Sequence, residues 1–366
     1  MTHGLALEEC WSDSDHLVGA GRAAVVNDTG RLLAHEGARA VGLALAGQPL
    51  DSLRVAAGVR RVAESAEMRT LRTELDIAEA IAARELGDRD RAEPALERLA
   101  GQSAYPCTYV QVYAALELVE MRLGVGDVAA ARSMFQQADE LSSRDLDGPE
   151  GRGRLARTGV LVSLAEDDLA AAELWSGQID DPFWGPICDA RFHFAVGRQP
   201  DAVEAVRRAE PRCERHLVVR ELSLARAIVD DDRPSAIKSV EAAVERAAQH
   251  GMLQTVAADG AAVLDLVELA AWRAPSAWMD RLRYALVPHL TPAATIPGLV
   301  EELTSRERDV LRLLPTRLTL REIASELFVS QNTLKFHLRV IYRKLMVNSR
   351  AEAVETARRL RLLARG

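Results

Sequence analysis

The chain has 366 residues, 48% hydrophobic and 27% charged, with a formal net charge of −8, enough length and apolar content for two or three domains with buried cores. Its four cysteines, Cys10, Cys107, Cys188 and Cys213, lie far apart with no Cys-x-x-Cys pair, which argues against a disulfide scaffold or zinc knuckle and fits a reducing, cytoplasmic setting. No uncharged apolar run approaches the roughly 18 residues of a membrane span, and the acidic start, with Glu8, Glu9, Asp13 and Asp15, lacks the basic segment of a secretory signal.

Residues 1–38 carry Gly19, Gly21, Gly30 and Asn27-Asp28, which interrupt any helix, so this stretch is an N-terminal arm or an atypical first repeat. From 39 to 287 the chain is rich in Ala, Leu, Arg and Glu and poor in strand formers, which predicts helix after helix. Turns at Gly47-Gln48, Gly87-Asp88, Gly126-Asp127, Asp167-Asp168, Arg198-Gln199 and Asp231-Asp232 punctuate it at roughly even intervals. Similar phrases follow most of them, such as Arg91-Ala92-Glu93-Pro94-Ala95-Leu96, Ala130-Ala131-Arg132, Ala170-Ala171-Ala172 and Asp201-Ala202-Val203. Small side chains just inside a second helix let two helices approach closely, the pattern of tetratricopeptide-like pairs. Each pair has an apolar face that it cannot cover alone, so neighbours stack into an array whose concave side suits a partner. The full repeat signature never appears in one repeat, which leaves a generic α-solenoid open.

Several clusters in this array invite a functional reading, and each has a plainer one. The acidic runs Glu166-Asp167-Asp168, Asp180-Asp181 and Asp230-Asp231-Asp232 are expected as helix caps and solvated corners before cation sites. Trp175, Phe183, Trp184, Phe192, His193 and Phe194 are expected as packing between repeats before an effector pocket. Cys213-x-x-His216 lacks a second ligand pair, so no metal site is expected. No Gly-x-x-x-x-Gly-Lys-Ser/Thr occurs around any of the three lysines, so no nucleotide loop, no cofactor and no enzymatic activity are predicted.

Pro288, Pro292, Pro297 and Gly298 mark a linker over 288–298. Beyond it, 299–366 changes character. From Glu301 onward there are 14 Lys/Arg against 8 Asp/Glu, whereas the preceding residues hold 32 against 46. A basic end on an acidic chain suits nucleic acid. Three Ser/Thr-x-x-Glu boxes, Thr304 to Glu307, Thr319 to Glu322 and Ser349 to Glu352, each predict a helix start, and Ser330 predicts a fourth. The short turn at Phe328-Val329-Ser330 makes the second and third helices a helix-turn-helix. On the third helix, about Gln331 to Leu345, Leu334, Leu338, Ile341 and Leu345 form an apolar stripe, and Lys335, Arg339 and Arg343 form a separate cationic row. That row repels itself unless a polyanion covers it.

Leu303-Thr304-Ser305-Arg306-Glu307-Arg308-Asp309-Val310-Leu311, Arg321-Glu322-Ile323-Ala324, Thr333-Leu334-Lys335-Phe336-His337-Leu338 and Tyr342-Arg343-Lys344-Leu345 resemble the LuxR-type helix-turn-helix. The preceding helices are most similar to the sensor region of MalT-like LuxR regulators, here without an ATPase module. The resemblance implies that Lys335, Phe336 and Arg339 face base edges in the major groove, that Thr319, Arg321, Thr333 and His337 lie near phosphates, and that the fourth helix pairs two domains. Val354, Ala357 and Leu360 outline an apolar seam for such a homodimer. Arg317 and Met346 stand where many relatives have Gly, so the turns at both places are expected to be built differently. The overall expectation is an all-α transcription regulator: a helical-repeat array sensing a small-molecule or protein effector, and a four-helix domain binding double-stranded DNA. The alternative is an interaction scaffold whose C-terminal domain binds protein.

Overall fold

The computed structural model describes residues 29–65, 69–101, 108–145, 149–286, 310–316, 318–327 and 349–360, together with 334, 338, 341, 342, 345, 347 and 362. Among these there are helices and turns and no strand, so the chain is all-α as predicted. No described helix is long and apolar enough to cross a membrane. The chain divides into two compact units, Met1–Ala262 and Val263–Gly366. The first holds helical hairpins in succession: α1 (Thr29–Leu45) with α2 (Pro49–Ser65), α3 (Arg69–Glu85) with α4 (Arg89–Gly101), and α5 (Thr108–Gly124) with α6 (Val128–Asp145). Then come α7 (Pro149–Ala165) with α8 (Leu169–Ser176), α9 (Trp184–Ala195) with α10 (Gln199–Arg208), α11 (Glu214–Ile228) with α12 (Arg233–His250), and the short α13 (Leu253–Asp259). The second unit opens with α14 (Leu264–Arg273) and α15 (Ala277–Leu286). The expected linker, 288–298, lies outside the described residues.

One local device builds five of the hairpins. The second residue after the first helix takes a left-handed conformation: Gly47, Gly87, Gly126, Asp167 and Gly197, with φ between +60° and +86°. Its N–H and the next one turn back to the helix end, as in Gly87 to Arg84 O (2.8 Å) and Asp88 to Ala83 O (2.9 Å), which satisfies carbonyls the helix would leave orphaned. The residue of the second N–H then starts the next helix, and where it is Asp its carboxylate accepts an N–H of the first turn, as Asp127 does from Ala130 (3.1 Å) and Asp168 from Ala171 (3.0 Å). Four residues beyond that start sit Ser52, Ala92, Ala131, Ala172 and Ala202, all fully buried, and Ala236 holds the same place after Asp232 in the sixth hairpin. Small side chains there allow the close helix approach that the sequence predicted. Ser52 adds a hydrogen bond to Ala40 O across the hairpin (2.7 Å).

The array turns back on itself, a contact between residues 170 apart that no local pattern announces. Arg215, at the start of α11, donates its backbone N–H to Ala46 O (3.0 Å) and its guanidinium to Leu45 O (2.7 Å) and Ala44 O (3.1 Å), capping the end of α1. The same guanidinium reaches Thr255 Oγ1 (3.0 Å) and pairs with buried Glu85 (3.1 Å), whose other oxygen accepts the Thr255 N–H (2.8 Å). The first, second and sixth hairpins thus meet at one seam. Glycine is required there twice over. Gly47 has φ +86°, and a Cβ on it would lie 2.9 Å from Arg215 N and collide with Met252 Sδ.

Charged side chains of the first helix of successive hairpins form a continuous network. Arg84 on α3 pairs with Glu117 and Glu120 on α5, each at 2.7 Å, and Arg154 on α7 also pairs with Glu117. Burial would raise the Glu120 carboxyl, but Arg84, Arg154, Arg157 and Arg215 around it outweigh that and hold it at about 2. Breaking one partner of such a buried pair strands a charge and costs about 3–5 kcal/mol, so the network ties the hairpins into one register.

Candidate nucleic-acid interface

The C-terminal domain is held by one apolar cluster. Val310, Leu311 and Leu314 come from a helical stretch beginning by Val310, Ile323, Ala324 and Leu327 from α16 (Leu320–Glu326) and its end, and Ala353 and Ala357 from α17 (Arg350–Arg359). Between them Leu334, Leu338, Ile341 and Leu345, the predicted apolar stripe, are all buried in the same cluster.

Two of the predicted helix starts fall on described residues. At Thr319 the full reciprocal box forms: its hydroxyl accepts the Glu322 N–H (3.3 Å), and the Glu322 carboxylate accepts the Thr319 N–H (2.7 Å). Those donors, the backbone N–H first and the hydroxyl second, hold the exposed Glu322 carboxyl below its ordinary range. At Ser349 the hydroxyl accepts the Glu352 N–H (3.2 Å) and starts α17. The starts expected at Thr304 and Ser330 lie outside the described residues.

Thr319 and Arg321 stand exposed at the start of α16, two residues apart. The Thr319 hydroxyl also donates to Glu322 (2.8 Å), so any further acceptor at this position competes with the cap. Thr333, Lys335, Phe336, His337, Arg339 and Arg343 lie outside the described residues. In the proposed dimer seam Val354 and Leu360 are half-buried, whereas Ala357 is fully buried against its own domain, a position the spacing alone had left looking uncovered. Beside Val354 runs an open groove lined by Leu314, Pro315, Arg350, Glu355 and Arg358.

Sequence reasoning did not single out Arg350, which organises the turn ahead of α16. Its guanidinium donates to Leu314 O (2.9 Å), Thr316 O (2.8 Å) and Leu318 O (2.9 Å). A helix end followed by a turn leaves several carbonyls orphaned, and one planar five-donor group can satisfy three of them. The absence of Gly at Arg317 was the available signal that some other group closes this turn.

The array's clusters resolve into packing and caps. Trp175 meets Phe135 edge-on (5.4 Å) and fills the space that a side chain at Gly159 would need. Phe183 is fully buried and stacks on His216 (3.8 Å), whose Nδ1 accepts the Arg212 N–H (3.2 Å). Asp168 and Asp232 cap α8 and α12, and Asp181 accepts the Phe183 N–H (2.8 Å).

With that geometry in hand, comparison with known proteins is specific about one end of the chain. Residues 301–357 match the family described as bacterial regulatory proteins, luxR family, so the C-terminal domain is a LuxR-family helix-turn-helix domain. The HTH-type transcriptional regulator MalT of Vibrio cholerae is 30% identical over 168 residues, covering 40% of this chain and 18% of that protein. MalT of Vibrio campbellii is 28% identical over 284 residues, 66% of this chain and 31% of that protein. A nitrate/nitrite response regulator protein homolog of Haemophilus influenzae is 46% identical over 54 residues, 15% of this chain and 26% of that protein. The chain thus spans less than a third of the length of these relatives.

Proposed function

We propose that the chain is a DNA-binding transcription regulator in which the third helix of the C-terminal domain enters the major groove and the helical array senses an effector. The LuxR-family domain at 301–357 carries this reading. Supporting it, the stripe Leu334, Leu338, Ile341 and Leu345 is turned into the domain's own core. Lys335, Arg339 and Arg343 follow stripe positions or precede them by one or two residues, and each step in an α-helix turns by about 100°, which takes the row off the buried face. Lys and Arg donate to guanine O6 and N7, and a Phe edge meets a thymine methyl, so Lys335, Arg339 and Phe336 are assigned to base edges. Thr319, Arg321, Thr333 and His337 are assigned to phosphates, which set register without reading sequence. Through Val354 and Leu360, α17 is assigned to a two-fold partner, which implies inverted half-sites.

The test is binding of the full chain to genomic fragments at defined salt, followed by variants on the preferred site. Lys335→Ala and Arg339→Ala should each cost about 1–3 kcal/mol on that site and relax base choice, whereas Arg321→Ala should weaken all sequences alike. No DNA binding at low salt would overturn the reading and favour a scaffold. Equal losses on specific and random DNA for all three variants would overturn the residue assignment alone.

A further inference from the structure

The end of α16 assigned to phosphates is the end least held by its own apolar contacts. α16 has seven residues, and its buried side chains, Ile323 and Ala324, with Leu327 just beyond, belong to its second half. Ahead of them Leu318 and Leu320 are half-buried, and Thr319 and Arg321 are exposed. The Thr319–Glu322 box closes this first turn on itself. Both partners of the box lie at the same helix start, so it fixes the local backbone and not the place of that start in the domain. A short helix anchored at one end is free to pivot about the anchor.

One side chain ties that end down from outside. Arg350 donates to the carbonyl of Leu318 (2.9 Å), the residue before the cap, and to those of Thr316 (2.8 Å) and Leu314 (2.9 Å) in the turn that leads to it. Its own base is firm. Ser349 caps α17 through the Glu352 N–H, and Ala353 and Ala357 behind it are fully buried. Arg350 is the first residue of α17, where a cation opposes the helix dipole, so helix preference does not account for an arginine there. A planar guanidinium offers donors at fixed angles, and bonds to three carbonyls between Leu314 and Leu318 hold the chain before Thr319 in one orientation. A lysine carries the same charge on a single nitrogen at the end of a flexible stem and holds no such plane.

We propose that Arg350 is a positioning residue for DNA binding: by fixing the carbonyls of Leu314, Thr316 and Leu318 it holds Thr319 and Arg321 where phosphates reach them. The inference rests on the DNA-binding reading and deepens it, since it names what keeps the phosphate contacts in register. Arg350 acts through Arg321 and not through its own charge. Because it stands on α17, it also joins the helix assigned to the two-fold partner to the helix assigned to phosphates.

Phosphate contacts do not depend on sequence, so a fluorescent duplex of mixed sequence serves as the probe. Affinity of the full chain is measured over a range of salt, with the active fraction set by stoichiometric titration. The parent's affinity should fall steeply with salt, and Arg321→Ala should make the slope of log affinity against log salt shallower by about one. Arg350→Lys keeps every charge, yet should make the slope shallower by about the same amount, because Arg321 no longer meets its phosphate. In a double-mutant cycle, Arg321→Ala should weaken the parent several-fold and the Arg350→Lys protein by less than about twofold. Val310→Ala opens the buried cluster without removing a donor to the turn, so it represents simple loss of stability and should leave the slope unchanged. No binding by the parent at low salt would sink the DNA-binding reading, and an unchanged slope in Arg321→Ala would sink the assignment of Arg321; the positioning role falls with either. With both in place, it is overturned alone if Arg350→Lys keeps the parent's slope, if the two substitutions add, or if Val310→Ala lowers the slope as much.

Discussion

Gly47→Ala against Gly126→Ala measures the seam that closes the array. Both glycines occupy the same place in the same turn, with φ +86° and +77°. Each substitution forces an alanine into the left-handed region, at about 1–2 kcal/mol. There the likeness ends. A Cβ at Gly126 meets nothing within 4 Å, whereas a Cβ at Gly47 meets Arg215 N at 2.9 Å and the Met252 sulfur. The Met252 side chain can rotate aside. The Arg215 backbone cannot, because its N–H is bonded to Ala46 O and its guanidinium to Leu45 O and Ala44 O. Overpacking against such a fixed neighbour adds about 1–3 kcal/mol. Gly47→Ala should therefore lose about 2–5 kcal/mol and Gly126→Ala only about 1–2, read as the difference in urea midpoints of the full chain by far-UV circular dichroism and tryptophan fluorescence. Equal losses in the two variants would mean that the first hairpin does not rest on the sixth in solution, and the closed array would be wrong.

Glu74 is 4% exposed and accepts the Tyr109 hydroxyl (3.0 Å); burial, opposed by that bond, pushes its carboxyl up to about 7. A carboxyl raised in the folded state favours folding below its unfolded value near 4.5, and that contribution is lost as pH rises through 7, so stability should fall by a few kcal/mol across this window and Glu74→Gln should flatten the profile. Arg350→Ala removes three carbonyl partners at a partly exposed site and should destabilise the C-terminal unit by about 2–3 kcal/mol, with Arg350→Lys recovering only part, since an ammonium lacks the fork. A urea midpoint for Arg350→Ala equal to the parent's would discard that role. Thr319→Ala should cost about 1 kcal/mol through its cap before any DNA is present, so its DNA affinity is to be compared after correcting for folded fraction.

What the sequence made legible was local. Helix starts at Thr319 and Ser349, the buried stripe at Leu334, Leu338, Ile341 and Leu345, and the Ala after most array turns all follow from spacings of three or four residues. The turns themselves were found, although the left-handed residue at the fifth is Gly197 and not the Arg198-Gln199 step. What was not legible depends on pairs far apart in the chain. Arg215 reaching residues 44–46, Arg350 capping a turn 32 to 36 residues earlier, and Arg84 meeting Glu117 are side-chain choices that any solvated arginine face could have made. An alternation of Arg and Glu reads the same whether it faces water or another helix. Ala357 is the converse case: an apolar spacing on one helix marks a buried face without saying whether the cover is a partner or the rest of the domain.

Arg215 belongs to both the seam and the charge network, which makes the two one element. It caps the end of α1 and pairs with Glu85, while Glu120 feels it together with Arg84, Arg154 and Arg157. A perturbation at the seam should therefore be felt at Arg215 first. The Arg215 amide reports the seam directly, because its acceptor is Ala46 O in the first hairpin. A Cβ at Gly47 presses on that amide, whereas one at Gly126 meets nothing, so hydrogen exchange at Arg215 should be faster in Gly47→Ala than in Gly126→Ala. Equal exchange at Arg215 in the two variants would separate Gly47 from the seam and refute the argument.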